Sequence, residues 1–311
     1  MTHVALALRP AVGTQDGKTL AGIGFGLIAA AAWSGYTVAS RAGVTAGFSA
    51  FDLTALRFIV AGLVLLPFVL RHGLRDLAGI GWWRGIVLAL AAGPLFSGLY
   101  TYGLGMTPYA HGPVISPSVV TIGTLALGAV VLGERPGLFR LLGAVAVITG
   151  LFLVACGEIF TGPERAMSVY DLMFVASGLL WAGYTVLLRH WGLDPIAATA
   201  AVAVVSMVAV GPVYLATADY GRLFADPGML AFHAGMQGVV AAVIAILAFS
   251  QAVKLLGASG AGIFPSLVPV LAVLLGIPLL GEWPTNIQTV GIAAATLGLM
   301  FASGVLGGRS G

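Results

Sequence analysis

One stretch of this chain is written twice, 148 residues apart, each time inside a run apolar enough to cross a bilayer. The first copy reads Tyr109-Ala110-His111-Gly112-Pro113-Val114-Ile115-Ser116-Pro117-Ser118, stays apolar, and ends at Gly133-Glu134-Arg135-Pro136. The second reads Gly257-Ala258-Ser259-Gly260-Ala261-Gly262-Ile263-Phe264-Pro265-Ser266, stays apolar, and ends at Gly281-Glu282-Trp283-Pro284. The same offset relates Trp33-Ser34-Gly35-Tyr36 to Trp181-Ala182-Gly183-Tyr184, Arg41 to Arg189, and Gly143 and Gly150 to Gly291 and Gly298. A proline-interrupted apolar segment at corresponding positions of two halves marks the substrate path of a transporter.

Only 8% of the residues are charged and 59% are hydrophobic, against roughly a quarter charged in soluble proteins. Windows of about 20 apolar residues place spans at 20–42, 52–70, 83–104, 109–132, 138–156, 172–189, 195–217, 230–254, 257–280 and 287–305. The fold expected is an all-α membrane protein with ten transmembrane helices in two five-helix repeats, 20–156 and 171–305. Polar tails lie at 1–19 and 306–311, and an extracytoplasmic linker at 157–170. Because five is odd, the second repeat enters the membrane from the opposite side, so the repeat is inverted. With the N-terminus inside, ten Lys and Arg fall on the cytoplasmic side and three on the other, with Arg57 within a span. That bias puts both termini in the cytoplasm, as expected of a protein of a bacterial inner membrane.

The net charge of +3 is scattered through loops, which argues against nucleic-acid binding. Cys156 is the only cysteine, so neither an intrachain disulfide nor a cysteine metal cluster forms. No Gly-x-x-x-x-Gly-Lys loop for ATP, no Gly-x-Ser-x-Gly turn and no His-Glu-x-x-His helix occurs, and no cofactor or metal is expected. An enzyme is therefore not expected, and a passive channel lacks a repeated charged or carbonyl filter.

Each half resembles an EamA domain, the unit of the drug/metabolite transporter superfamily. The resemblance rests on small residues followed by Ser116-Pro117 or Phe264-Pro265, an apolar run, Leu132-Gly133-Glu134 or Leu280-Gly281-Glu282, and a last helix with two spaced glycines. Leu56-Arg57-Phe58 is similar to the start of that domain's second helix, although the second half has Val205 where the first has Arg57. The resemblance implies ten helices and export, less often uptake, of small metabolites such as amino acids, nucleosides, drugs, polyamines or sugar derivatives.

The candidate site residues follow from chemistry at these places. Pro117 and Pro265 each free a backbone carbonyl, which either binds solute and hinges a gate or marks a fixed packing bend. Ser116, Ser118 and Ser266 adjoin those bends and either bond a solute or re-satisfy the carbonyls. His111 is the deepest histidine by span position. It reads either as a proton carrier or as a solvated residue at the extracytoplasmic end. Trp33, Tyr36, Tyr100, Trp181 and Tyr184 offer flat apolar faces with polar tips, suited to a pocket or to helix packing. Gln237 is a polar group able to line a cavity, and Arg57 reads as a snorkelling or carbonyl-paired structural residue in preference to a substrate anchor. Glu134 and Glu282 read as helix-joining residues, and no carboxylate falls in mid-span, which disfavours a carboxylate proton relay. The function expected is a secondary transporter that exports amino acids or related amphipathic solutes by alternating access between the two repeats. Its partners are the solute and the bilayer, and it acts as a monomer or weak homodimer.

Overall fold

The computed structural model describes residues 15–156 and 168–302. Most of the expected tails and linker (1–14, 157–167 and 303–311) lies outside the described residues. The chain runs through α1 (Gln15–Thr45), α2 (Ala50–His72), α3 (Trp82–Met106), α4 (His111–Leu132), α5 (Leu138–Cys156), α6 (Asp171–His190), α7 (Pro195–Thr217), α8 (Pro227–Gly257), α9 (Ile263–Leu280) and α10 (Asn286–Ala302). Short helical turns Leu74–Asp76 and Tyr220–Leu223 sit in two of the connections, and no strand occurs among the described residues. Eight of the helices are long and apolar enough to cross a membrane; Leu138–Val154 of α5 and all of α10 are apolar but shorter.

Local chemistry sets the helix ends. Ser49 and Asp52 form a reciprocal capping box at the start of α2, with Ser49 N–H donating to Asp52 at 2.7 Å and Asp52 N–H to the Ser49 hydroxyl at 3.0 Å. Asp194 caps α7 and is followed by Pro195, whose missing N–H has no intrahelical partner to lose there. The repeated Gly-Glu also has a structural reason. Gly133 and Gly281 adopt left-handed φ values of 68° and 71° that close α4 and α9, and this fixes where the following glutamate emerges.

The two repeats interlock instead of standing side by side. α1 packs mainly on α8 and α9, and its counterpart α6 packs mainly on α3 and α4. Two three-helix bundles result, α1–α8–α9 and α6–α3–α4, each borrowing one helix from the other repeat. The counterpart pairs α2–α7 and α5–α10 flank them. At α5–α10 the backbones touch: a Cβ on Gly150 would lie 2.4 Å from Ala295 N, and one on Gly298 would lie 2.6 Å from Val147 N. Small residues that let backbones approach this closely are how helices associate when the solvent is lipid.

Polarity is inverted relative to a water-soluble bundle. Leu63, Val130, Leu138, Leu179 and Leu279 point outward, while Ser34, Ser40, Arg57, Ser118, Ser177 and Gln237 are buried. Such a surface suits hydrocarbon, where every backbone polar group must be satisfied within the protein.

Proline acts differently in the two halves. Pro117 is interior to α4, but Pro265 falls in the first turn of α9, which starts at Ile263 and not near 257. A first-turn proline has no intrahelical bond to break, so the expectation of matched mid-span breaks at Pro117 and Pro265 does not hold. The interior proline of the middle of α9 is Pro269. In α3, Gly93 leaves the helical region just before Pro94, which bends the helix there. The segment Ala234–Ile244 of α8 is wound as a π-helix.

The α5–α10 contact generates a test. Gly150→Ala should destabilise the protein by about 1–3 kcal/mol through overpacking, seen as a lower melting midpoint in detergent. Gly24→Ala, at a helical glycine whose Cβ would meet nothing within 4 Å, should leave the midpoint unchanged or raise it, with a stability gain of up to about 1 kcal/mol.

Candidate functional site

The repeat offset brings together residues that the sequence shows only as separate helix ends. Arg41 of α1 donates from Nε to Glu282, just beyond α9, at 2.7 Å, and from Nη1 to the Leu104 carbonyl of α3. Glu282 also accepts the Tyr109 backbone N–H at 3.1 Å. The pair therefore clasps one bundle to the α3–α4 turn of the other. Adding 148 to Arg41 and subtracting it from Glu282 gives Arg189 and Glu134, which form the mirror ion pair between α6 and the end of α4. The two pairs sit at opposite ends of α4, whose 22 residues span about 33 Å at 1.5 Å per residue. They differ in one respect. Among the described residues, the Arg189–Glu134 pair is not bonded to the α8–α9 turn.

At the Arg41 end a cavity of about 560 Å³ is lined by Arg41, Tyr109, Val273, Glu282, Trp283 and Gln288. Tyr109 closes it inward: its hydroxyl lies 2.9 Å from the Thr37 hydroxyl and donates to the Ala272 carbonyl at 3.1 Å. Burial pushes the Tyr109 phenol up, against a smaller opposing pull from the Thr37 hydrogen bond, with the nearby Glu282 charge adding to the rise. The hydroxyl thus stays a proton donor. Below it Tyr36, Val38, Tyr100, Leu104, Ile115 and Ala272 pack into one cluster drawn from both bundles. By contrast, Trp33 packs with Phe249 and Phe264, inside the α1–α8–α9 bundle.

An aromatic wall crosses the centre. Tyr36 stacks on Tyr100, Tyr100 on Phe96, Phe96 packs on Trp181, and Trp181 on Tyr184, with ring centroids 4.8–6.5 Å apart. The Arg57 guanidinium lies 4.6 Å over the Tyr36 ring. Arg57, Trp181, Tyr184, Thr199 and Ala242 share a second, small cavity of about 30 Å³ between the repeats. Arg57 is 6% exposed, and its Nε and Nη1 have no hydrogen-bond partner among the described residues. It is therefore neither snorkelling nor visibly carbonyl-paired at those atoms. A lone basic residue inside a span is a sequence signal, but sequence alone does not distinguish a structural role from a binding one.

The other expected residues are dispersed. His111 is buried, not solvated, with Nδ1 2.8 Å from the carboxylate of Asp171, and Asp171 also accepts the Ser168 N–H. Both side chains are 1% exposed. This buried carboxylate lies at a helix end, which is why counting mid-span acids missed it. His111 is not alone in depth, because His233 is fully buried within α8 against Phe48 and Phe232. Ser116 hydrogen-bonds Ser177 at 3.1 Å, Ser266 back-bonds to the Gly262 carbonyl, and the buried Ser118 hydroxyl has no partner among the described residues. Gln237, in the π-helical segment, donates to the Ser40 hydroxyl at 3.0 Å and joins α8 to α1. The structure thus gathers Tyr36, Tyr100, Trp181 and Tyr184 with Arg57, and leaves Trp33, His111 and the serines in separate contacts.

Comparison with known proteins agrees with this geometry. The model of the EamA-like transporter family matches residues 20–156 and 168–304. A Bacillus subtilis (strain 168) protein described as "Uncharacterized transporter YyaM" is 27% identical over 271 residues, covering 83% of this chain and 86% of its own length. The Pseudomonas aeruginosa protein PA1977 is 31% identical over 260 residues, covering 82% of this chain and 85% of its own. A solved crystal structure, 18% identical in sequence, superposes over 94% of this chain and 99% of its own with a TM-score of 0.56, so the fold is shared. An integral membrane transporter of small solutes, not an enzyme, is what the matches and the apolar helices support together. The chain belongs to the EamA-like transporter family, one family unit in each interlocked half.

Proposed function

We propose that the protein is a ten-span secondary transporter of a bacterial inner membrane that exports small amphipathic metabolites, amino acids foremost, by alternating access. The observation that carries this reading is the mirrored pair of Arg–Glu bridges at opposite ends of the fold, of which, among the described residues, only Arg41–Glu282 clasps the opposing turn. A carrier needs two equivalent gates used in turn, and an inverted repeat supplies them from one sequence. The moving bodies in this reading are the two mixed bundles, not the two repeats. Packing between bundles concentrates at the Arg41 end, in the cluster around Tyr36, Tyr100 and Tyr109. With the Arg41 end taken as extracytoplasmic from the loop charges, this form is closed to the outside.

The aromatic wall of Tyr36, Tyr100, Trp181 and Tyr184 gives the solute path its amphipathic character. Pro117 acts as a bend in α4, and Gln237 couples α8 to α1. Both termini are cytoplasmic, and one chain holds a complete path.

Three outcomes test this. Proteoliposomes containing the purified chain should show saturable counterflow of at least one labelled amino acid; a linear, non-saturating flux would mean a pore. In a chain whose Cys156 is replaced by Ser, a cysteine introduced at the buried Val38 should react faster with a membrane-impermeant thiol reagent once Glu282→Gln removes the clasp. The increase should be about tenfold, as expected for losing one charge-assisted hydrogen bond, and an unchanged rate would rule out a latch. Pro117→Ala should lower transport more than Pro265→Ala, because only the former restores an interior backbone hydrogen bond. Equal effects in counterflow would remove the hinge from α4.

A further inference from the structure

We propose that Arg57 is the anchor for a carboxylate on the transported solute, and that a free carboxylate is what this carrier requires of its cargo. The proposal rests on the transporter reading above and adds the chemical class. A guanidinium is always charged, and a buried charge is costly unless it is paired. Each described carboxylate found in an ion pair is committed elsewhere: Glu282 to Arg41, Asp171 to His111, Glu134 to Arg189 and Asp52 to Arg222. Arg57 is a buried arginine in none of these pairs. It is at least as buried as any of the paired arginines, and among the described residues no carboxylate meets it. The face of Tyr36 at 4.6 Å contributes a cation–π attraction but accepts no hydrogen bond from Nε or Nη1.

The surroundings define the rest of the ligand. The small cavity beside Arg57 continues to Trp181 and Tyr184, so an anion held at the guanidinium would have its body against aromatic faces. The Tyr36 hydroxyl is also buried without a partner among the described residues, so a second donor stands near the guanidinium. At about 30 Å³ the cavity has room for roughly a single water; the solute is admitted when the bundles part. The repeat sharpens the assignment. The matching position in α7 is Val205, which packs on the apolar core cluster. The fold therefore has one guanidinium here and not a symmetric pair, which suits one monoanionic headgroup and not a polyanion. A planar bidentate carboxylate is the group that the guanidinium fork matches best.

The experiment is counterflow in proteoliposomes with a panel of labelled amino acids, each competed by its own unlabelled acid, primary amide and decarboxylated amine, with inorganic phosphate and chloride as further competitors. For wild type, the acid should compete about 10–100-fold better than the amide, the range of one or two charge-assisted hydrogen bonds. Arg57→Gln should flatten that ratio while the protein keeps its melting midpoint, and Arg57→Lys should restore part of it. A flat acid-to-amide ratio in wild type, an acid preference that survives Arg57→Gln, or best competition by amines would overturn the assignment and leave the transporter reading standing. Competition by phosphate or chloride equal to that of the acids would replace the solute carboxylate with an inorganic anion. No saturable counterflow by any compound of the panel would overturn both readings.

Discussion

The EamA-like unit occurs twice in one chain, and the way its two copies exchange helices is the constraint on which the rest of this structure depends. Each helix finds its main neighbour in the other repeat. α1 inserts into the second repeat's α8 and α9, α6 inserts into the first repeat's α3 and α4, and α2–α7 and α5–α10 pair with their own counterparts. The α5–α10 seam can be this close because four glycines at matching positions put backbone on backbone. Lipid offers no hydrophobic drive for such contacts, so shape and proximity carry the association. A firm seam at α5–α10 and lighter contacts between the mixed bundles leave the bundles as the units that can move.

The same constraint explains why a short motif does two jobs. Gly-Glu at the end of α4 and α9 is first a helix stop, with glycine at a left-handed φ. The glutamate that follows then reaches the arginine at the end of the borrowed helix, Arg189 or Arg41. The glycine that stops the helix and the glutamate that makes the ion pair are therefore neighbours in one short motif. The difference between the ends is in what else the pair touches. Arg41 and Glu282 reach the Leu104 carbonyl and the Tyr109 amide, so one end is tied while the mirror end, among the described residues, is not. The same Arg–Glu pair in two different environments is enough to make an asymmetric state.

Much of this was legible in the chain before any coordinates. The offset of 148 gave the repeat, the apolar windows gave most helix ends to within a few residues, and Arg41, Arg189, Glu134 and Glu282 already stood at matching positions. Their pairing was not legible, because it joins residues 241 apart in one case and 55 in the other. It depends on the exchange of helices between bundles. Pro265 misled because a proline's effect depends on the distance to the helix start, and α9 begins six residues later than the apolar pattern suggests. Asp171 was passed over because it is a helix-end acid by sequence, yet it is buried against His111. Arg57 was visible but interpreted by its most common role.

Arg57 also links binding to closure. In a closed core its charge is buried without a described counter-charge, so closing that region without an anion carries a desolvation cost, whereas opening it lets water solvate the guanidinium. A bound carboxylate removes that cost by supplying the missing charge and acceptors, and it does so most in the closed, low-dielectric form. A ligand that binds one form better than another shifts the balance toward that form by its difference in affinity. The unpaired guanidinium thereby favours closure around a loaded site over closure around an empty one. If the proposed transporter reading holds, a guanidinium with no described partner at Nε and Nη1 is the feature that would couple cargo to the movement of the two bundles. A local glutamate beside it would make the protein more stable and the transport less tightly coupled.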